Sequence, residues 1–350
     1  MVNILQIIDG KSFGGITTLM REVEKKINSE IKMDFLTACN ICPEWHNLNA
    51  DRSSISGRIL YNLRLYKFLK KNKYDIIHIN SGAFFFTFFC ALTCRVCGIK
   101  KIIVHSHNTP RISKTKKILI TLLNPIYRKL TSAHLSCSKE ASLSLFTKTD
   151  DVAIIKNGVD VDKYKFNETT RKKYRKKLDL EGKIVYGHVG RFHRQKNHEF
   201  LIDVFYEIQK KQDSTLLLIG RGELEDQIQK KVHKLKIDDK VIFLGFREDI
   251  NNLLNAMDIF LFPSMQEGLP ISVIEAQTSG LPTFVSNAIP EEANISDNFY
   301  RIDTFDATKW TNKILNVKLQ NRSTAYMNTI NAGFDIEHTV SQLYHIYKAL

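Results

Sequence analysis

The chain has 350 residues, enough to bury a sizeable core and to form two domains, and its 43% hydrophobic and 25% charged residues are those of an ordinary globular protein. A net charge of +14 and a pI near 9.4 call for an anionic partner: nucleotide, nucleic acid or lipid surface. Met1-Val-Asn-Ile4 has no basic n-region, and the most apolar run, Ala83 to Leu92, is about half the ~20 residues a membrane span needs, so a cytoplasmic protein, soluble or peripheral on the inner membrane face, is expected.

Val2 to Ile8 reads as a first strand, Asp9 to Gly15 as a glycine-rich loop, and Ile16 to Ile27 as a helix. Such a strand, Gly14-Gly15 loop and helix N-terminus can accept a phosphate or let a substrate approach the backbone closely; a plain βα turn is the alternative. It is not a Walker A loop, because Gly10-Lys11-Ser12 lacks the upstream glycine. Lys32 to Ala38 reads as a strand, Ile55 to Lys71 as a helix, Asp75 to Asn80 as a short buried strand, and Phe84 to Cys97 as a helix. Cys90, Cys94 and Cys97 fall on one face of that helix. Buried free thiols are therefore expected, rather than a zinc site built from Cys39-x2-Cys42 and Cys94-x2-Cys97. The strand Lys101 to Val104 ends in His105-Ser106-His107-Asn108. Strands alternating with helices predict a parallel doubly wound sheet, whose sites lie beyond the carboxyl ends of the strands, where His107 falls. A histidine there can bond a sugar hydroxyl or a phosphate, or be an ordinary surface histidine.

Arg111 to Leu130 sets Arg111, Lys114, Lys116, Lys117, Arg128 and Lys129 around Ile118, Leu119, Leu122, Leu123 and Ile126. Together with Lys67, Lys70, Lys71 and Lys73 it predicts contact with an anionic membrane surface, against the alternative of a solvated face over a core stripe. A strand at Ala133 to Ser138, a helix at Lys139 to Thr147 and a strand at Asp151 to Ile155 follow. Asn157-Gly158-Val159-Asp160 then opens a linker over 157–170.

Lys183 to Gly190 restarts the alternation. Arg191 and Lys196 stand in the turn before a helix from Glu199 to Lys211, where a guanidinium fork and a point charge can together hold a diphosphate, a solvated basic loop being the alternative. Ser214 to Ile219 is a strand, but Gly220-x-Gly222-x-x-Glu225 lacks the third glycine and the acidic ribose partner of a Rossmann dehydrogenase. After the strand Lys240 to Leu244 comes Gly245-Phe246-Arg247. The apolar run Ile259 to Phe262, stopped by Pro263, reads as a buried parallel strand. A polar turn and Gly268-Leu269-Pro270 lead into a helix to about Thr278, with Pro270 in its first turn and Gly280 and Pro282 ending it. Glu267 precedes the helix, and Glu275 lies about two turns along, on the face of the helix start. Such a pair can take sugar hydroxyls and a ribose, or be a cap and a solvated carboxylate. Thr283 to Ser286 is a strand, and a final helix spans Ile336 to Leu350.

Glu267-x7-Glu275 enclosing Gly268-Leu269-Pro270 resembles the E-x7-E signature of the retaining family 4 glycosyltransferases with the GT-B fold. Arg191 and Lys196 match that family's G-R-x-x-x-x-K pattern, and Asn157-Gly158-Val159-Asp160 matches the segment that closes its first domain. The resemblance implies an α/β protein of two facing Rossmann-like domains with parallel sheets, residues 1–165 and 166–335, and a helix 336–350 crossing back to the first. It implies transfer of a sugar from a nucleotide donor, UDP on frequency, to a glycan or lipid-linked glycan in capsule or exopolysaccharide synthesis, and the His-Ser-His-Asn variant is similar to the exopolysaccharide branch. Residue by residue, it assigns catalysis to Glu267, His107, Arg191 and Lys196, with His107 preferred to His105. Donor binding falls to Gly14, Gly15, Arg191, Lys196, Phe246, Arg247, Gly268, Leu269 and Glu275. No cofactor or metal is expected beyond the donor, since Arg and Lys supply the cationic charge and no Asp-x-Asp is placed to hold an ion. A UDP-sugar epimerase of the same fold remains an alternative. So does a nucleic-acid binder, although no aromatic-interleaved basic patch supports it.

Overall fold

The computed structural model describes residues 1–9, 15–107 and 113–350, so Gly14 and Arg111 lie outside the described residues. The chain forms two compact units, residues 1–158 with 336–350, and residues 159–335.

The first unit runs β1 (Val2–Ile8), α1 (Gly15–Lys26), β2 (Ile31–Thr37), β3 (His46–Asn47), α2 (Ile55–Lys71), β4 (Ile76–Asn80), α3 (Phe84–Val96), β5 (Lys101–Ser106), α4 (Lys114–Leu130), β6 (Ala133–Ser136), α5 (Lys139–Ser142) and β7 (Ala153–Ile154). All its strands are parallel, in the order β3-β2-β1-β4-β5-β6-β7. Near-continuous Ile, Leu and Val runs produce this: Ile4, Leu5 and Ile7 on β1 and Ile76, Ile77 and Ile79 on β4 are fully buried, as strands covered by helices on both faces require. The order reverses between β1 and β4, which leaves a crevice at their carboxyl ends.

The second unit runs α6 (Val161–Tyr164), α7 (Glu168–Lys177), β8 (Ile184–Val189), α8 (His198–Gln209), β9 (Ser214–Ile219), α9 (Glu225–Lys234), β10 (Val241–Gly245), α10 (Ile250–Ala256), β11 (Ile259–Phe262), α11 (Ile271–Thr278), β12 (Thr283–Ser286), β13 (Phe299–Ile302), α12 (Ala307–Leu315) and α13 (Tyr326–Asn331). Its sheet is also parallel, in the order β10-β9-β8-β11-β12-β13, and reverses between β8 and β11. Asp258, buried at the start of β11, anchors α7 by accepting from Arg171 Nη2 at 2.5 Å and Arg175 Nη1 at 3.1 Å, and it also accepts from the Val185 N–H at 2.8 Å. The final helix, α14 (Ile336–Ala349), belongs to the first unit and packs on α1, with Lys26 paired to Glu337 at 2.9 Å.

Several elements differ from the sequence reading. The helix expected over 139–147 ends at Ser142, where the Ser142 and Ser144 hydroxyls take the carbonyls of Lys139 and Ala141 and compete with the helical ladder. The strand expected over 151–155 is only the two residues of β7. Pro270 is the N-cap of α11 rather than part of its first turn. The expected linker over 157–170 is ordered structure: Asp160 caps α6 by accepting from Lys163 N–H, and Asn167 caps α7 through Thr170 N–H. The units divide at Gly158–Val159 rather than 165–166, because Val159 N–H donates to the Phe334 carbonyl and α6 packs on α10, α11 and α13. All six cysteines are free thiols, and Cys90 and Cys94 are fully buried, as the helical spacing predicts.

Candidate active site

Two loops meet beyond the carboxyl ends of β8 and β11, the neighbouring strands at which the second sheet reverses. The first follows β8 through Arg191 and a short 3-10 turn, Arg194–Lys196, into α8. Asn197 makes the bend with φ of +56°, a left-handed conformation that asparagine tolerates better than most residues. Beneath the turn, His198 stacks on Phe192 at 4.2 Å and meets His188 edge-on at 4.7 Å. Burial pushes both imidazoles down, His188 to about 4 and His198 to about 2, so this support is neutral. Gly220 at the end of β9 has φ of +139°, and a Cβ there would lie 2.1 Å from the Gly190 carbonyl oxygen, so glycine lets the two strand ends touch.

The second loop, Pro263 to Pro270, joins β11 to α11 and is stitched to the first. Met265 N–H donates to the Gln195 carbonyl at 2.8 Å, and Gln195 Nε2 donates to the Gln266 carbonyl at 2.5 Å. Lys196 Nζ pairs with Glu267 Oε1 at 2.7 Å and lies 4.6 Å above the Phe262 ring. Both side chains are largely covered, 19% and 9% exposed, so their charges act in a medium of low polarity. Arg191 Nη2 pairs with Glu223 Oε2 at 3.0 Å, but both side chains are about half exposed, which makes the pair weak and easily exchanged. His193 Nε2 lies 3.6 Å from the same carboxylate. Sequence reasoning missed Glu223 and Gln195. Glu223 stands in the turn that begins Gly220-x-Gly222, whose sequence signal is only that of an incomplete dinucleotide fingerprint.

Glu275 is 7% exposed, so it is not a solvated helix carboxylate. Burial pushes its pKa up to about 7, against the opposing pull of a hydrogen bond from Tyr164 and the charge of Lys163. Gly268 is half-buried and Leu269 buried, in the segment that delivers Pro270 to α11. Gly280 ends that helix with φ of +74°, and Gly280 N–H donates to Gln277 while Leu281 N–H donates to Ala276. Phe246, half exposed, and Arg247, gripped by Asp249 at 2.7 and 2.6 Å, follow β10 at the same end of the sheet but two strands away from β8.

In the first unit, Gly15 is the first residue of α1. His107 follows β5 but is not the open ring that its place in the sequence suggests. It is 4% exposed, with Nδ1 3.1 Å from Asn157 Oδ1 and Nε2 3.0 Å from Asn80 Oδ1, and burial pushes its pKa down to about 4. His105 lies within β5, fully buried, its ring centroid 4.0 Å from that of His107.

Comparison with known proteins agrees with this architecture. Residues 42–163 match the model described as Glycosyltransferase Family 4, and residues 170–333 match Glycosyl transferases group 1. The chain is 28% identical over 318 residues to the putative glycosyltransferase EpsF of Bacillus subtilis, covering 83% of this chain and 80% of that one. It is 29% identical over 310 residues to the UDP-Gal:alpha-D-GlcNAc-diphosphoundecaprenol alpha-1,3-galactosyltransferase of Escherichia coli, covering 81% and 78%. Among solved structures, Anabaena HepE with UDP and glucose superposes with a TM-score of 0.80 over all of both chains at 18% identity. Two parallel doubly wound units, the E-x7-E segment facing the Arg191–Lys196 turn, and these matches lead to one conclusion: the chain is a glycosyltransferase of family 4, built on the GT-B fold.

Proposed function

We propose that the cluster at the β8–β11 reversal holds a UDP-sugar and drives transfer of its sugar, with retention and without a metal ion, to a lipid-linked glycan in surface polysaccharide synthesis. The observation that carries this reading is the 2.7 Å contact between Lys196 and Glu267, which brings the two halves of the signature together in a largely dry setting. Arg191 and Lys196 take the diphosphate, and their positive charge offsets the negative charge that grows on the leaving UDP. Glu267 orients the donor sugar through its hydroxyls, and Gly268 and Leu269 bring the backbone N–H groups before α11 toward the same ligand. Glu275 accepts from the ribose hydroxyls, and Phe246 and Arg247 flank the base; on the first unit, Gly14, Gly15 and His107 are the residues we assign to substrate. The acceptor hydroxyl attacks the anomeric carbon on the face that UDP leaves. The C–O bond to UDP breaks as the new C–O bond forms, and the departing phosphate oxygen takes the acceptor's proton. The curated relative from Escherichia coli, whose printed name gives a diphosphoundecaprenol-linked acceptor, supports the acceptor class.

The outer faces of α2, α3 and α4 support a site at an anionic membrane surface. α3 lies between the other two, and none of the three helices has an acidic residue. Ile59, Leu63, Phe89, Val96, Ile118, Leu122 and Ile126 are each at least half exposed, and Lys67, Lys70, Lys71, Lys114, Lys116, Lys117 and Lys129 are exposed around them. Exposed apolar side chains among basic ones, on helices that carry no acidic residue, match the headgroup boundary of an anionic bilayer. Among the described residues no helix is long and apolar enough to cross a membrane.

The test is proton NMR of the purified protein with a panel of UDP-sugars in the presence of EDTA. Slow release of one sugar as its α-anomer together with UDP, lost in Glu267→Gln, is the expected result. Appearance of an epimeric UDP-sugar would replace transfer with isomerisation.

A further inference from the structure

A chain of buried hydrogen bonds joins the C-terminal helix to His107. Tyr347 on α14 places its hydroxyl 3.0 Å from Gln6 Nε2 and 2.8 Å from His78 Nδ1. Gln6 Oε1 accepts from Asn80 Nδ2 at 2.9 Å, and Asn80 Oδ1 lies 3.0 Å from His107 Nε2. Gln6, His78 and Asn80 are fully buried and Tyr347 is 2% exposed, so water does not substitute for any link.

The direction of the chain can be read from its fixed points. Asn80 Nδ2 also sits 3.4 Å from the His78 backbone carbonyl, which can only accept, so the amide oxygen of Asn80 faces His107. His107 Nε2 must then carry the hydrogen. Burial keeps the ring neutral, with a pKa pushed down to about 4, so Nδ1 holds a lone pair toward Asn157, whose amide nitrogen must turn inward to meet it. At the other end the Tyr347 hydroxyl gives its one hydrogen to His78 Nδ1 and accepts from Gln6 Nε2, which holds Gln6 Oε1 toward Asn80. Without that hydroxyl the Gln6 amide loses the acceptor that holds it, and the orientation of Asn80 rests on the long 3.4 Å contact with the His78 carbonyl, which Gln6 opposes whenever it turns its nitrogen toward Asn80.

We propose that Tyr347 is a positioning residue for transfer, fixing His107, through Gln6 and Asn80, as the Nε2-protonated tautomer. Resting on the reading that His107 serves the donor sugar, it follows that His107 meets a sugar hydroxyl as an acceptor at Nδ1, in exchange for Asn157. Its Nε2 is committed to Asn80.

The experiment uses the full chain labelled with 15N-histidine, with His107 assigned by a His107→Gln variant. Two-bond proton–nitrogen spectra then read the tautomer. Wild type should show a single Nε2-protonated His107. Tyr347→Phe should lower the ratio of Nε2- to Nδ1-protonated forms by about tenfold, the factor expected when one buried partner is removed, with kcat falling in proportion to the Nε2-protonated fraction. Gln6→Met removes, at similar volume, one of the two acceptors that hold Asn80 Nδ2, should lower the ratio in the same direction but by less, and decides the question if Tyr347→Phe does not fold. A single Nε2-protonated His107 in folded Tyr347→Phe or Gln6→Met protein would overturn the proposal. A shifted tautomer with unchanged kcat would leave the relay standing and remove His107 from the transfer reaction.

Discussion

The two units share one topology and put opposite chemistry at the same place in it. Beyond β8 and β11 the second unit gathers charge: Lys196 on Glu267, Arg191 on Glu223, and a buried carboxyl at Glu275. Around β4 and β5 the first unit gathers neutral groups, in which burial keeps His78, His105 and His107 uncharged and Tyr347, Gln6 and Asn80 join His78 to His107. A leaving diphosphate needs fixed positive charge close by, and Lys196 and Arg191 on the second unit's loops present it. A neutral hydrogen-bonded wall suits orientation of sugar hydroxyls, which a stray charge would disturb. A shared doubly wound sheet therefore says little about which unit carries the chemistry; the residues after each strand decide it.

The largest expected effect that would break this contrast is on the charges. Lys196→Ala should lower kcat for transfer by about 10²–10³-fold, the usual loss when a group opposing developing charge is removed. Arg191→Ala should cost less, because Arg191 is half exposed and solvent replaces part of its charge. Equal losses from both would place the leaving group elsewhere.

Glu275 sharpens the contrast through pH. Its folded pKa, pushed up to about 7, lies above its ordinary 4.5, so the folded state holds a proton that the unfolded chain gives up. Stability therefore falls as pH rises from about 4.5 to 7 and stays low above that window. Glu275→Gln should remove this loss, raising unfolding free energy at pH 8 by an amount of order 3 kcal/mol while changing little at pH 4. Urea melts at the two pH values check it. If ribose hydroxyls donate to the carboxylate, UDP should bind more tightly as pH rises through 7, and the variant should lose that trend.

The neutral wall predicts the opposite pH behaviour. The folded pKa values of His78 and His107, about 3 and about 4, lie below the ordinary 6.5. Their contribution is full above 6.5 and is lost as pH falls through that value toward 4, because the unfolded chain then binds protons that the folded unit excludes. Hydrogen exchange of β4 and β5 amides between pH 7 and pH 5 should show the first unit loosening. β8 of the second unit, where burial depresses His188 in the same way, should loosen alongside, and unchanged exchange in β4 and β5 would contradict the neutral wall.

The smallest expected effect concerns the membrane face. Leu122→Glu on α4, where the side chain is 68% exposed, should leave folding unchanged and weaken binding to vesicles containing anionic lipid about tenfold. Co-sedimentation at low and high salt measures it.

Much of the second unit was legible in the sequence because its signals are local. The Ile259 to Phe262 run, Pro263, Gly268-Leu269-Pro270 and Gly280 marked a strand, loop, helix and stop within one short stretch, and α11 follows them. Arg191 and Lys196 were visible for the same reason. Spacing could not give contacts between distant segments: that Glu223 takes Arg191, that Tyr164 reaches Glu275, or that Tyr347 and Gln6, 341 residues apart, close a chain of bonds onto His107. His107 shows the limit most clearly. Its place after β5 was readable, but its enclosure by Asn80 and Asn157 depends on tertiary packing alone. The short elements β3, β13 and α13 escaped because a few residues in a tertiary setting carry little periodicity of their own.

The most direct test of the central claim is calorimetric titration of UDP into wild type, Lys196→Ala and Asn80→Ala. The charged site of the second unit predicts that Lys196→Ala weakens UDP by about 10–100-fold, whereas Asn80→Ala binds UDP as wild type does and loses only transfer. Equal weakening by both, or none by Lys196→Ala, would contradict the assignment of the donor diphosphate to the β8–β11 reversal.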